Sequence, residues 1–314
     1  MNKSGGSSAG HVPVLLDAVL EGLKIQPQGC YIDGTFGRGG HSREILKRLD
    51  STGRLIAIDR DPEAVEAARP LSQLESRFAI VKGEISDIRQ IADERNLLGK
   101  VDGLLFDLGV SSPQLDDATR GFSFQFDGAL DMRMDPTTGI GAADWLAAVD
   151  ERTLKRVLAQ FGEERSAGRY AKAIVAERTR QPIRRTAELA KIIADAAPKG
   201  PRRKHPATKT FQAIRIQVND ELGQVRRALA ACVEVLGKGG RLCVISFHSL
   251  EDRIVKRFMR QASREAEAWR GMPTMPQSAR PLLRIIGKAI AASDAEIAFN
   301  VRSRSARLRI AERL

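Results

Sequence analysis

Three short apolar runs each end on a carboxylate: CYID on Asp33, RLIAID on Asp59 and VDGLLFD on Asp107. The first is followed at once by the glycine-rich stretch GTFGRGGHS, in which Gly37 and Gly39 lie two apart. A strand, a glycine turn and a helix start bring backbone N–H groups and closely approachable backbone to one spot. A phosphate loop would end in Gly-Lys-Ser/Thr, and no lysine is present here. A dinucleotide fingerprint starting at Gly37 would need a third glycine at position 42, where Ser42 stands. The pattern that fits is acid-x-x-x-Gly-x-Gly, from Asp33 through Gly37 to Gly39. A carboxylate beside the turn is poor for pyrophosphate and suits the amino-acid moiety of S-adenosylmethionine. Asp59, nineteen residues beyond Gly40, is placed to accept hydrogen bonds from both hydroxyls of a ribose. Singly, these features also describe a plain tight turn and a surface acid. On consecutive strand ends they indicate a nucleoside-containing cofactor, with Ile85 able to pack on an adenine face. A nicotinamide-dependent oxidoreductase is disfavoured by Ser42 and by the Asp33 spacing.

The elements that must hold these residues alternate. Strands are expected at Cys30–Asp33, Arg54–Asp59, Phe78–Val81 and Val101–Asp107, with helices at His41–Arg48, Pro62–Leu74 and, capped by Ser86, Asp87–Asn96. Continuous apolar strands separated by helices imply a parallel sheet covered on both faces. The rhythm breaks at Leu108–Gly141. Helical patterning follows: one helix capped by Asp144 running through WLAAVDERTLKRVLAQFG, then Glu164–Arg180 and Thr186–Ala196. A long helix is expected over Phe211–Leu236, stopped by Lys238–Gly240. A strand at Arg241–Phe247, a helix at Leu250–Arg260 and strand-like runs at Leu283–Ile290 and Ser305–Ala311 resume the α/β pattern. The expected organisation is a disordered terminus over residues 1–10, a core from 11–120 and 210–314, and an all-helical insertion over 121–209. Met272–Pro281 is expected to be a loop.

Charge narrows the partners. The 314 residues carry 51 Lys+Arg against 39 Asp+Glu, a net charge of +12. Arg178–Lys209 holds ten basic residues and two acids, and Arg302–Leu314 five arginines and one acid. Clustered positive charge is the footprint of a nucleic-acid binder, against the plainer reading of a solvated surface. Three cysteines without a paired spacing point to a reducing cytoplasm rather than a disulfide framework. Four scattered histidines offer no metal-ligand spacing, so no metal is expected. No apolar run is long enough to span a bilayer, so no membrane partner is expected.

Longer segments carry a resemblance. HVPVLLDAV (His11–Val19), DGTFGRGGHS (Asp33–Ser42), AIDRDP (Ala57–Pro62), DLGVSSPQLDDATRGFSF (Asp107–Phe124), LDMRMD (Leu130–Asp135), HPATKTFQAIRIQVNDEL (His205–Leu222) and ISFHSLEDRIVKRFM (Ile245–Met259) closely resemble the bacterial 16S rRNA cytosine-N4 methyltransferase family, the MraW/RsmH type. The resemblance covers nearly the whole chain. It implies a class I S-adenosylmethionine-dependent methyltransferase core, Rossmann-like, with an inserted helical domain for RNA recognition. It further implies methylation of the exocyclic N4 of a cytidine at the decoding centre of the small ribosomal subunit. By motif position it implies cofactor contacts from Gly39, Gly40, His41, Asp59, Ile85, Asp107 and Gln114. Ile85 stands where family members often carry Phe, a change that keeps apolar contact and loses stacking. A homodimer is compatible with this reading. So are two other functions: a DNA amino-methyltransferase, and a non-catalytic ribosome-assembly factor on the same fold.

The N4 amine of cytosine is a poor nucleophile because its lone pair is delocalised. Acceptors for its hydrogens, together with positioning and desolvation, would supply most of the rate. The acceptor is open between Asp107, Ser111 and a backbone carbonyl near Pro113. Ser111 and His248 are the catalytic candidates. His248 could orient the base, bind phosphate, or simply start a helix in a packed corner. Phe122, Phe124 and Phe126 could stack on an extruded base or anchor the insertion. The basic segments RTRQPIRR and PKGPRRKHPATK, including Arg202, Arg203 and Lys204, are expected to meet RNA phosphates.

Overall fold

The computed structural model describes residues 13–201, 205–265, 269, 276 and 279–314. The expected terminal tail, His11, Arg202, Arg203, Lys204 and most of the Met272–Pro281 loop lie outside the described residues. The chain forms two compact units, Met1–Gly109 with Gln224–Leu314, and Val110–Gly223. The second unit therefore starts before residue 121 and ends after residue 209.

The first unit is built on seven strands: β1 Cys30–Asp33, β2 Arg54–Asp59, β3 Phe78–Lys82, β4 Val101–Asp107, β5 Leu236–Ser246, β6 Leu283–Ala291 and β7 Arg307–Arg313. Their order is β3-β2-β1-β4-β5-β7-β6. Strands β1 to β5 run parallel, and β7 is antiparallel to both β5 and β6. This is a mixed sheet in an α/β fold, with β7 alone running against the other strands. Strand alternation splits the core in two. Ile32, Ile56, Leu104, Phe106, Leu242 and Val244 pack with helices α4 Ile88–Asp93, α11 Glu221–Val235 and α12 Ser249–Ala262. Tyr31, Leu55, Ala57, Leu105, Cys243 and Ile245 pack with α1 Leu16–Leu23, α2 Gly40–Leu46 and α3 Pro62–Leu74. Both faces being covered explains why the middles of β1, β2 and β4 run apolar without alternation.

The second unit holds α5 Ser112–Asp116, α6 Ala142–Ala148, α7 Glu151–Phe161, α8 Ala167–Arg178, α9 Thr186–Ala196 and α10 Ala207–Asn219. Its own core includes Leu146, Leu154, Leu158, Ile174, Leu189, Phe211 and Ile214.

Four local expectations are corrected. The helix expected from Asp144 is two helices, because Val149 and Asp150 are extended and Asp150 caps α7 by accepting from Thr153 N at 2.8 Å. The long helix over Phe211–Leu236 is broken at Asp220, which adopts a left-handed φ of 47°. Asn219 makes that break stable: its amide donates to Met132 O (2.7 Å) and Arg215 O (2.9 Å) and accepts from Met134 N (2.8 Å). The helix ends at Val235, and Lys238–Gly240 lies inside β5. Ser86 is not a cap; Glu84 and Asp87 form a reciprocal capping box around a 3-10 turn at Ile85–Asp87.

Candidate cofactor and catalytic site

The carboxyl ends of parallel strands are where α/β sheets bind ligands. Asp33, Asp59 and Asp107 are the last residues of β1, β2 and β4. The loop after β1 stitches these ends together. Gly34 N donates to Leu105 O (2.9 Å), Phe36 N to Ile58 O (3.0 Å), and Thr35 Oγ1 accepts from Asp107 N (2.7 Å).

Asp33 differs from its expected role. Its side chain is 1 % exposed and accepts from Ser42 Oγ (2.7 Å) and Thr35 N (3.1 Å). It braces the loop instead of facing outward as a ligand acceptor. Ser42, the apparent flaw in the glycine fingerprint, is the residue that holds it. Gly39 has φ +76°, and an added Cβ there would lie 2.6 Å from the Phe36 ring, so the turn needs glycine.

Asp59 accepts from Gly37 N (2.7 Å) and Asp61 N (2.9 Å), each on a different oxygen. Burial pushes its carboxyl up to about 6, against the pull of those two N–H groups. The free lone pairs of both oxygens remain at the strand end, as a pair of ribose hydroxyls would require. Ile85 sits in the turn after β3, and its Cγ2 would lie 3.5 Å from a Cβ on Gly34, so it flanks the same loop.

Asp107 sits under opposing electrostatic influences. Burial pushes it up to about 6, His41 pulls it down, and Asp33 and Glu251 push it further up. Its Oδ2 lies 3.7 Å from His41 Nδ1. Its Oδ1 is buried with no hydrogen-bond partner among the described residues. His41 is buried, with Nε2 3.0 Å from Val14 O. A carbonyl only accepts, so Nε2 carries a proton and Nδ1 is left to meet Asp107. Gly40 lies against the segment before α1: an added Cβ would come 2.5 Å from Pro13.

His248 is the N-cap of α12. Its Nδ1 accepts from Glu251 N (3.4 Å), while Glu251 Oε2 accepts from Phe247 N (2.9 Å). Its Nε2 lies 3.2 Å from Glu251 Oε1. The helix-start reading thus describes its contacts, at the end of β5.

Ser111 and Gln114 belong to the helical unit. They form the capping box of α5, with Ser111 N donating to Gln114 Oε1 at 3.0 Å. Phe122 is buried, and Phe124 packs on His205 and Phe211 with ring centroids 4.7 and 4.9 Å apart, which makes both packing residues. Phe126 is exposed. Within the basic run, Arg178 donates to Val149 O (2.6 Å) and Lys209 to Glu163 O (2.8 Å), while Arg185 pairs with Asp127 (2.6 Å). Arg184 and Lys199 are exposed and make no ion pair among the described residues.

Sequence reasoning missed Thr35, Val14 and Glu251. Thr35 lies two residues beyond the strand-end acid Asp33, which is the one signal that pointed to it. The other two act through a backbone carbonyl or a cap and leave no pattern.

The sequence profile of the MraW methylase family matches residues 8–314. The chain belongs to the MraW methylase family. S-Adenosylmethionine is the cofactor of such a methylase. Asp59, with open lone pairs on both oxygens at a strand end, fits it, since its ribose supplies a pair of donors. Similar solved structures include an rRNA methylase from Streptococcus thermophilus, 9% identical, covering 97% of this chain and 99% of that one at a TM-score of 0.42. A protein of Clostridium thermocellum assigned as an rRNA methylase is 11% identical, with coverage of 97% and 100% and a TM-score of 0.45. A Streptococcus mutans protein assigned as a methyltransferase, in complex with SAH, is 12% identical, with coverage of 97% and 100% and a TM-score of 0.44. No described helix is long and apolar enough to cross a membrane.

Proposed function

We propose that this MraW-family methylase transfers a methyl group to the exocyclic N4 of a cytidine in 16S rRNA, at the decoding centre of the small ribosomal subunit. The observation that carries the reading is the buried, partnerless Asp107 Oδ1 beside His41 at a strand end, in a chain whose long motifs resemble cytosine-N4 methyltransferases. S-Adenosylmethionine supplies an electrophilic methyl group when bound. Gly39 and Gly40 offer approachable backbone, Asp59 takes the ribose hydroxyls and Ile85 packs on the adenine; Gln114 is a further contact that the family resemblance implies. His41 lies beside Asp107, with Nδ1 3.7 Å from Oδ2, while Val14 O fixes the ring.

Asp107 Oδ1 accepts a hydrogen bond from a ligand amine. An ionised carboxylate in a half-buried site is a stronger acceptor than water, and withdrawing an amine hydrogen localises the nitrogen lone pair. Ser111, whose hydroxyl accepts within its capping box, and His248, engaged with Glu251, remain secondary candidates for orienting the base. The helical unit, with Arg184, Lys199 and the basic residues 202–204, selects the rRNA through phosphate contacts.

The test is methyl transfer from labelled S-adenosylmethionine to bare DNA, bare rRNA and small ribosomal subunits, paired with mass spectrometry of 16S rRNA from cells with and without the gene. N4-methylcytidine lost at one site in the deletion strain is the expected result. Methylation of DNA alone refutes the reading. Unchanged rRNA in the deletion strain leaves only a role in assembly.

A further inference from the structure

The connection between β6 and β7 is not used by anything described above. Strand β7 is antiparallel to β5, and its first residue, Arg307, pairs with Ser246, the last residue of β5. Ala291, the last residue of β6, pairs with Arg307 as well. The connection over residues 292–306 therefore lies at the carboxyl end of the sheet, on the same edge as Asp33, Asp59 and Asp107.

This connection is folded and anchored. It contains helix α13 Asp294–Phe299 and a 3-10 helix Val301–Ser305, capped by Ser293 and Asn300. Ser303 is fully buried. Glu296 Oε1 accepts from Leu15 N at 2.7 Å, one residue from the Val14 carbonyl that holds His41. Yet Phe299 is 75% exposed and Val301 68%. Residues three apart on a 3-10 helix eclipse, so Arg304 stands on the side of Val301. Arg304 and Arg307 are exposed and make no ion pair or side-chain hydrogen bond among the described residues. The two acids of the segment, Asp294 and Glu296, lie on the first turn of α13, away from the arginine half, and Glu296 is spent on Leu15.

An exposed aromatic on the same short segment as two exposed arginines, with no ion pair among the described residues, matches one kind of occupant. We propose that the segment from Phe299 to Arg307 is a contact surface for single-stranded RNA, with Phe299 stacking on an unpaired base and Arg304 and Arg307 holding phosphates. Two apolar side chains fall far short of the roughly 1,000 Å² that a stable protein interface buries, whereas one aromatic face and two charges suffice for a nucleotide step. The charge is complementary to phosphate and the placement is on the edge that carries the candidate site. The inference rests on the rRNA reading and adds a contact made by the sheet unit itself.

The experiment uses the full chain and a single-stranded RNA covering the decoding region of 16S rRNA. Affinity is measured across a salt series for the wild type, Phe299→Ala, Phe299→Trp and the Arg304→Ala/Arg307→Ala double variant. Calorimetric binding of S-adenosylmethionine checks that each variant is folded. Phe299→Ala is expected to weaken RNA binding on the order of ten-fold with the salt slope kept, and Phe299→Trp to restore it. The double arginine variant is expected to lower the salt slope by about 1.4, two single-strand phosphate contacts. Crosslinking of 4-thiouridine-substituted RNA to the wild type is expected to map to the peptide carrying Phe299. Wild-type affinity and slope in all variants, or a crosslink map without that peptide, overturns the surface and leaves the rRNA reading standing. A Phe299→Ala variant that changes solution mass but not RNA binding makes it an interface between copies, and also overturns it. A wild type that neither binds nor methylates rRNA overturns both.

Discussion

Asp107→Asn should make the protein more stable and less active, with a pH signature that identifies the cause. The carboxyl is pushed from 3.8 to about 6, chiefly by burial, with Asp33 and Glu251 adding to it and His41 opposing it. At 1.36 kcal/mol per unit, holding Asp107 ionised in the native state costs about 3 kcal/mol. Below about pH 4 both native and unfolded chains keep the proton, and the cost is absent. Between about pH 4 and 6 the unfolded chain has lost the proton and the native chain has not, so stability falls as pH rises. Above about 6 the cost is fully expressed and constant. An amide carries no charge and can donate to His41 Nδ1, which lies 3.7 Å from the present oxygen. The variant should therefore gain about 3 kcal/mol over wild type at pH 7 to 8 and roughly half of that at pH 5. For a chain of this length that is a rise of roughly 5 °C in the midpoint of the transition that S-adenosylmethionine shifts. Scanning calorimetry at pH 4, 5, 6 and 8 reads it, and methyl transfer at pH 8 should drop by roughly a hundred-fold or more. A stability gap that is flat with pH, or a midpoint that falls at pH 8, would refute the argument that Asp107 is held ionised at a cost for a ligand.

Three further outcomes are expected. Asp59→Asn leaves one acceptor oxygen for two backbone donors, Gly37 N and Asp61 N, so the loop should loosen and S-adenosylmethionine affinity fall roughly ten- to hundred-fold by calorimetry; unchanged affinity would remove Asp59 from the cofactor site. Gly39→Ala meets both a φ of +76° and the Phe36 ring, whereas Gly37→Ala meets only a φ of +57° in open space, so the first should cost about 2 to 4 kcal/mol and the second about 1 kcal/mol in chemical denaturation. Asn219→Ala breaks three hydrogen bonds inside the helical unit and should raise amide exchange at residues 130–136, with about 2 to 4 kcal/mol lost there and little change elsewhere.

The sheet was legible because its chemistry is repetitive. Four apolar runs, of which β1, β2 and β4 are buried on both faces and β3 lies at the sheet edge, announce parallel strands, and Pro62 marks the start of α3 as Pro at a first helical turn does. What was hidden depends on single side chains acting at a distance. The kink at Asp220 is decided by Asn219 reaching Met132, eighty-seven residues away, and no local pattern records that bond. Likewise Val149–Asp150 reads as the middle of a helix until Asp150 is seen capping Thr153 and Arg178 is seen taking the Val149 carbonyl. Periodicity reports which face is apolar; it does not report where a polar side chain prefers the backbone of another segment.

The same distinction reorders the three strand-end acids. They look equivalent in the sequence, yet the loop treats each differently. Asp33 is consumed by Ser42 and Thr35, and Thr35 in turn takes the Asp107 amide, so the first acid fixes the position of the third. Asp59 is half consumed, with one backbone N–H on each oxygen. Asp107 keeps one oxygen with nothing to bond among the described residues. Burying an ionisable oxygen without a partner is costly, and the chain spends the rigidity of the other two acids to keep it so. Ser42 is therefore not a lapse from a glycine fingerprint. A glycine at that position would free Asp33 to turn outward, remove the anchor of Thr35, and leave Asp107 without the geometry that makes its free oxygen useful.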